Sequence, residues 1–194
     1  AYRMIQGQGM VRSSVKVDWQ KRMAELDDAK NSLARLGNTQ KKEYGYAEHI
    51  ENLRHIAENQ EKYPKSTDIW HAVIVTMYNE SADVLVPTLN SVANVTFDEK
   101  RMIVILAYEE RGGAEAEKTA FGLEKQFKDK FAYFELAKHP KDIPGEVIGK
   151  GGNITNAGRA LQKLVEREKI PVENVIVTTL DSDNKPHACY FDQV

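Results

Sequence analysis

The densest chemistry in the chain stands near its C-terminal end. Asp181-Ser182-Asp183 follows the apolar run Val175-Ile176-Val177, and on an extended segment residues at i and i+2 project to the same side. Two carboxylates held that way repel unless a cation lies between or beside them. Mg²⁺ or Mn²⁺ suits such a pair, because a hard divalent ion accepts one or two carboxylates together with oxygens of a bound phosphate. The same tripeptide has a second reading, an Asx-type turn ending a strand with Asn184 continuing it. Its place after a buried strand favours a metal–diphosphate site.

Two further groups accompany it. Gly145 to Asn153 reads GEVIGKGGN and opens a helix. Glycines there let backbone N–H groups approach an anion, the helix adds the favourable end of its dipole, and Lys150 adds a point charge. The segment is not a P-loop, since Gly151 stands where Ser or Thr must follow the lysine, and it is not a G-x-G-x-x-G fingerprint. A flexible surface loop is the alternative. Thr76, Tyr78, Asn79 and Glu80 after one apolar run, and Glu109-Glu110 after another, offer polar groups for a base and ribose, with Tyr78 able to stack. Taken singly, each reads as a capping or solvated residue, and Ser81 or Asp83 can cap the next helix unaided. Of the histidines, only His187 is near enough to assist the paired aspartates. His49 and His55 are expected on the surface of a helix, His71 inside a strand and His139 in a loop. Cys189 has no flanking base and reads as a packed thiol.

The elements that must position these residues follow from periodicity. From Trp70 onward, short β-rich runs alternate with amphipathic helices. Strands are expected over 71–78, 102–108, 131–136 and 174–180, with helices over 81–95, 114–130 and 155–169 between them. Near-continuous Val/Ile runs separated by helices imply parallel strands covered on both faces, so the fold class is α/β, a Rossmann-like and mostly parallel sheet. In such sheets ligands bind beyond the carboxyl ends of the strands, near the point where strand order reverses. The candidate residues all lie there. Residues 1–67 read instead as a helical N-terminal extension. Asp18 caps a helix carrying Trp19, Met23, Leu26, Leu33 and Leu36, and Gly37 ends it. A second helix carries Tyr46, Ile50, Leu53 and Ile56.

Bulk properties exclude several classes. The 27 basic and 29 acidic residues leave a net charge of −2, so no overall field favours nucleic acid. A single cysteine rules out an internal disulfide framework and fits a reducing compartment. No apolar stretch is long enough to span a membrane, and no signal peptide opens the chain.

Taken together and in order, these residues resemble the nucleotide-sugar-binding half of the family 2 glycosyltransferases, enzymes of the GT-A fold. Tyr78-Asn79-Glu80 is similar to the end of that family's first strand, and Pro87 to Val92 to the helix after it. Gly149-Lys150-Gly151-Gly152-Asn153 through Gly158 resembles its glycine–lysine–asparagine helix opening, and Thr179 to Asp183 its metal-binding DxD motif. The likeness covers about Trp70 to Val194, within a domain expected over 68–194. The Glu109 to Gly113 motif and the loop from His139 to Lys150 look like a bacterial branch whose domain lies between membrane segments. Where most relatives end the second strand with two aspartates, this chain has Glu109 and Glu110.

The resemblance implies an inverting hexosyltransferase that moves a sugar from a nucleotide diphosphate sugar to a glycan or lipid-linked acceptor, on the cytoplasmic side of the membrane. It implies a divalent metal ion (Mg or Mn) on Asp183, with Asp181 facing the sugar or ribose as the second catalytic carboxylate. Thr76, Tyr78, Asn79, Glu80 and Glu109 would line the nucleoside pocket, and Lys150 and Asn153 would lie near the base or phosphates. The family's general base and acceptor site follow its DxD, so this chain is expected to be a segment of a longer enzyme and inactive alone. Apolar surface on the fourth strand is expected to promote homo-oligomers. Two other readings remain. A nucleotidyltransferase also sets paired aspartates on a parallel sheet, but needs a basic glycine-rich loop where Met77 to Glu80 is acidic. A non-catalytic nucleotide-binding or assembly module would work through its N-terminal helices.

Overall fold

A computed structural model describes residues 2–37, 39–145 and 149–194, with side chains from residue 7 onward. Part of the glycine-rich segment singled out above, residues 146–148, lies outside the described residues. The chain divides into two compact units. One runs up to Asp68 and includes Asp192–Val194; the other is Ile69–Phe191. Among the described residues no helix is long and apolar enough to cross a membrane.

The first unit is helical, with α1 (Tyr2–Ser14), α2 (Trp19–Asp27), α3 (Ala29–Leu36) and α4 (Tyr46–Glu58). Its core gathers Ala29, Tyr46, Ile50 and Leu53, with Leu26, Leu33, Leu36 and Ile56 packed against them. Asp18 caps α2 as expected, accepting the Lys21 N–H at 3.0 Å. The single helix expected from Asp18 to Gly37 is instead broken at Asp28 (φ −131°, ψ 57°). The break is stabilised from a distance. The Gln60 amide donates to Leu26 O at 3.2 Å and accepts from the Ala29 N–H at 3.1 Å, while Asp27 accepts from the Ser66 N–H and hydroxyl, both at 2.6 Å. One non-helical residue leaves the apolar repeat nearly in phase, so periodicity cannot reveal it.

His49 is also not on the surface. It is buried beside Tyr46 and Ile50, with Nε2 2.9 Å from Glu25, whose other oxygen meets Arg35 at 3.3 Å. A polar residue three after Tyr46 shares its face, and a distant carboxylate makes that burial tolerable. Gln60→Ala should destabilise this unit by roughly 1–2 kcal/mol, since it leaves a carbonyl and an N–H unpaired at a part-buried helix break. Urea melts followed by Trp19 fluorescence in a Trp70→Phe background read this directly; an unchanged midpoint would refute the bracing role.

The second unit is a four-stranded sheet in the order β3-β2-β1-β4. The strands β1 (Trp70–Met77), β2 (Met102–Glu109), β3 (Tyr133–His139) and β4 (Val175–Asp181) are all parallel. They alternate with α5 (Ala82–Ala93), α6 (Gly113–Phe127) and α7 (Lys150–Glu168). Strand alternation sorts the two faces. Val73, Val75, Met77, Val104 and Leu106 meet Leu85, Leu89 and Val92 of α5 and Ala120, Leu123 and Phe127 of α6. Ala72, Ile74, Ile103, Ile105 and Ala107 meet Ala157, Leu161, Leu164 and Val165 of α7 on the other face. The architecture is therefore α/β with a Rossmann-like parallel sheet and helices on both sides. β4 is an edge strand, and its Val177 is half exposed.

Two boundaries differ from expectation in ways that shape the site. β3 runs to His139 rather than ending at Leu136, because Lys138 and His139 pair in register with Tyr108 and Glu109. His139 is consequently a buried strand end and not a loop residue. The helix expected from Thr155 begins at Lys150, so Gly151 and Gly152 form its first turn. Glycines disfavour a helix. Here Asn153 anchors the turn, donating from Nδ2 to Ala107 O at 3.1 Å and to Met77 O at 3.4 Å.

Candidate functional site

Strand order reverses between β1 and β4, since the chain steps outward from β1 to β3 and then returns through α7. A cleft of about 500 Å³ opens there, at the carboxyl ends of the strands. Thr76, Tyr78 and Glu80 come from the end of β1 and its loop, Glu109 and Arg111 from the end of β2, Lys150 and Asn153 from the first turn of α7, and Asp181 and Asp183 from the end of β4. Sequence reasoning named all of these except Arg111. Asn79 is exposed and does not line the cleft.

The two aspartates sit on a turn whose hydrogen bonds use none of their carboxylate oxygens. Asn184 Oδ1 accepts the Asp181 N–H at 3.0 Å, and the Asn184 N–H returns to Asp181 O at 3.1 Å. From α5 the buried Thr88 hydroxyl donates to Ser182 O at 2.7 Å and pins the turn. Both carboxylates are thereby released from backbone duty. Asp181 forms an ion pair with Lys150. Asp183 is exposed and has no hydrogen bond or ion pair among the described residues. Thr88 was missed as a positioning residue, though its position carried a signal: a hydroxyl on the face shared by Leu85, Leu89 and Val92.

The glutamates divide by role. Glu109 is 5% exposed and held by the Arg111 guanidinium, whose Nε donates to it at 2.9 Å, with His139 Nδ1 3.7 Å behind. A carboxylate this buried is stable only beside such a cation. Glu110 turns away from the cleft. It accepts the Lys141 N–H at 3.0 Å and pairs with Lys138 at 3.6 Å, and the Lys141 N–H, with the lysine charges beside it, holds its carboxyl below the usual range. Glu80 folds back onto its own loop, accepting the Tyr78 N–H at 2.6 Å. Ser81 makes no side-chain cap to α5, so this carboxylate closes the loop instead. Tyr78 is left 45% exposed, with Arg111 5.8 Å from its ring centre.

No protein-family model matches the chain, and no curated protein matches it significantly. The reading of the cleft therefore rests on its own chemistry. Among the described residues it presents one free carboxylate, a carboxylate paired with lysine, the N-terminus of a 19-residue helix and a half-exposed aromatic ring. It also presents Asn153 Oδ1, a buried acceptor with no partner among the described residues. Those groups suit a ligand with an anionic part, a planar part and hydroxyl or N–H donors. Outside the cleft, Cys189 is not without a base, as the sequence had suggested. His187 Nδ1 lies 3.2 Å from its sulfur, a contact made by the turn that leads out of the site.

Proposed function

We propose that the Ile69–Phe191 unit binds the nucleotide diphosphate sugar donor of an inverting glycosyltransferase of the family 2 type. Its acceptor would be a glycan or lipid-linked sugar at the cytoplasmic face of a bacterial membrane. The observation that carries this reading is the Asp183 carboxylate, unpaired among the described residues, on a turn closed by the Asp181 backbone and Asn184, in the same cleft as the N-terminus of α7. Tyr78 offers its face to the base, and the buried Glu109, held by Arg111, accepts a base N–H. Thr76 lies at the carboxyl end of β1 in the same cleft, and Glu80 keeps the loop closed. Asn153 fixes the first turn of α7 at the cleft, and Lys150 is available to a phosphate oxygen.

The residues present fit a divalent ion that arrives with the diphosphate. Asp183 and Asp181 supply hard oxygen ligands, while among the described residues no group of three protein ligands is gathered to hold a resident metal. Mg²⁺ and Mn²⁺ accept one or two carboxylates together with phosphate oxygens and water. When bound, the ion supplies the positive charge that stabilises a departing nucleoside diphosphate. Calorimetric titration with UDP, GDP and their sugars, with and without Mn²⁺, tests the reading. One nucleotide is expected to bind in a metal-dependent way, and Asp183→Asn should weaken it by on the order of tenfold or more. Absence of binding to every nucleotide in the presence of Mn²⁺ would refute it.

A further inference from the structure

We infer that Lys150 occupies Asp181 in the free protein as a stand-in cation, so that the site binds metal strongly only after an anionic ligand has drawn the lysine away. Lys150 is the first residue of α7, where the helix dipole disfavours a positive charge. An anion beside the ammonium offsets that unfavourable end of the dipole, and Asp181 supplies it. Both side chains are about half exposed, at 49% and 54%, so the pair can exchange without disturbing the core. The helix itself stays in place during such an exchange. Asn153, a lining residue of the cleft that is 2% exposed, ties the helix's first turn to Met77 O and Ala107 O, and its buried Oδ1 has no partner among the described residues. A buried acceptor left unpaired by the protein calls for a partner from outside it, a ligand group or a water.

The consequence is a coupling. While Lys150 holds Asp181, only Asp183 is open to a cation. A diphosphate offers the lysine a more highly charged partner at the helix N-terminus, and Asp181 is then freed to join Asp183 as a metal ligand. By linkage, anion and metal raise each other's affinity by the same factor. The anion half of this inference rests on the donor-site reading above; the competition between Lys150 and metal does not.

Mn²⁺ alone, titrated into the full chain and followed by calorimetry and by the loss of the free-ion electron paramagnetic resonance signal, tests the competition. Lys150→Gln should bind Mn²⁺ about fivefold more tightly than wild type, the factor expected from removing an exposed ion-pair partner. Lys185→Gln removes a lysine two residues beyond Asp183 and should change the affinity much less. Equal gains in both variants would mean a general charge effect and would overturn the inference, as would unchanged Mn²⁺ affinity in Lys150→Gln. Adding UDP or GDP then separates the two readings. Metal-dependent nucleotide binding with no Mn²⁺ gain in Lys150→Gln keeps the donor site and removes the stand-in. A Mn²⁺ gain without nucleotide binding supports the stand-in and removes the donor site.

Discussion

Gly112→Ala is expected to destabilise the Ile69–Phe191 unit by about 3 kcal/mol and to weaken nucleotide binding with it. A Cβ built at Gly112 would stand 2.1 Å from Tyr78 O and 2.7 Å from Ala116 Cβ. Neither neighbour is a flexible side-chain end: one is backbone of the loop after β1, the other belongs to α6. More than an ångström of backbone must move to admit one methyl group, a strain at the upper end of what overpacking usually costs. The displaced group is the carbonyl of Tyr78, whose ring lies 5.8 Å from the Arg111 guanidinium, and Arg111 in turn holds the buried Glu109. One substitution thus shifts the stacking ring, the guanidinium and the carboxylate of the cleft together. Urea melts followed by Trp70 fluorescence in a Trp19→Phe background measure the first effect, and nucleotide titration the second. A variant within 0.5 kcal/mol of its parent, about the spread of an ordinary surface substitution, would show that the two loops do not approach this closely.

The glycine pair after Glu110 shows what kind of information the sequence carried. The motif Glu109 to Gly113 was legible as a strand end leading into a helix, yet nothing local says that Gly112 is small because Tyr78 O lies against it. The same division recurs through the chain. Strands buried on both faces and helices with a repeating apolar stripe declare themselves, because burial of a whole element writes a pattern many residues long. Hence the parallel α/β fold and the convergence of Thr76, Tyr78, Glu80, Glu109, Lys150, Asn153, Asp181 and Asp183 at the strand ends followed from sequence alone. What escaped depends on one partner far away in the chain. Gln60 decides where α2 stops, Asn153 decides where α7 starts, Glu25 decides that His49 is buried, and Thr88 decides how the Asp181–Asp183 turn sits. Each is a single hydrogen-bonding side chain satisfying a group that periodicity cannot see. In the site this matters most for the carboxylates. Among the described residues four of them converge on the cleft, but partners divide them into a loop brace (Glu80), a guanidinium-held acceptor (Glu109), a lysine-paired group (Asp181) and a free one (Asp183). Residue type gave the inventory, and the partners give the roles.

Stability of the same unit should fall steeply between pH 6.5 and 4, with His71 as a principal cause. The ring is 2% exposed at the start of β1, edge-on to Phe97 at 4.6 Å and tilted against Phe191 at 5.1 Å. Burial disfavours the imidazolium and lowers its pKa to about 4; the Phe191 backbone opposes that change, and the Arg101 guanidinium adds to it. The unfolded chain keeps the ordinary value near 6.5. Between the two values the unfolded state binds more protons than the folded one, so stability rises with pH across that window. The contribution is complete above about pH 6.5, is lost progressively as pH falls, and is gone below about pH 4. The difference between those pKa values corresponds to roughly 3 kcal/mol, a large share of the 5–15 kcal/mol that usually holds a domain folded. Other groups titrate in the same range, so the decisive quantity is a difference between proteins. His71→Leu keeps an apolar side chain among Phe97 and Phe191 and removes the proton site. Chemical denaturation from pH 4 to pH 8 should show wild type approaching or falling below the variant at the acid end and gaining on it by roughly 3 kcal/mol toward neutrality. Parallel pH profiles for the two proteins would mean that His71 keeps an ordinary pKa in the fold. The pocket formed by Phe97 and Phe191 would then be open to water at the amino end of the sheet, opposite the cleft.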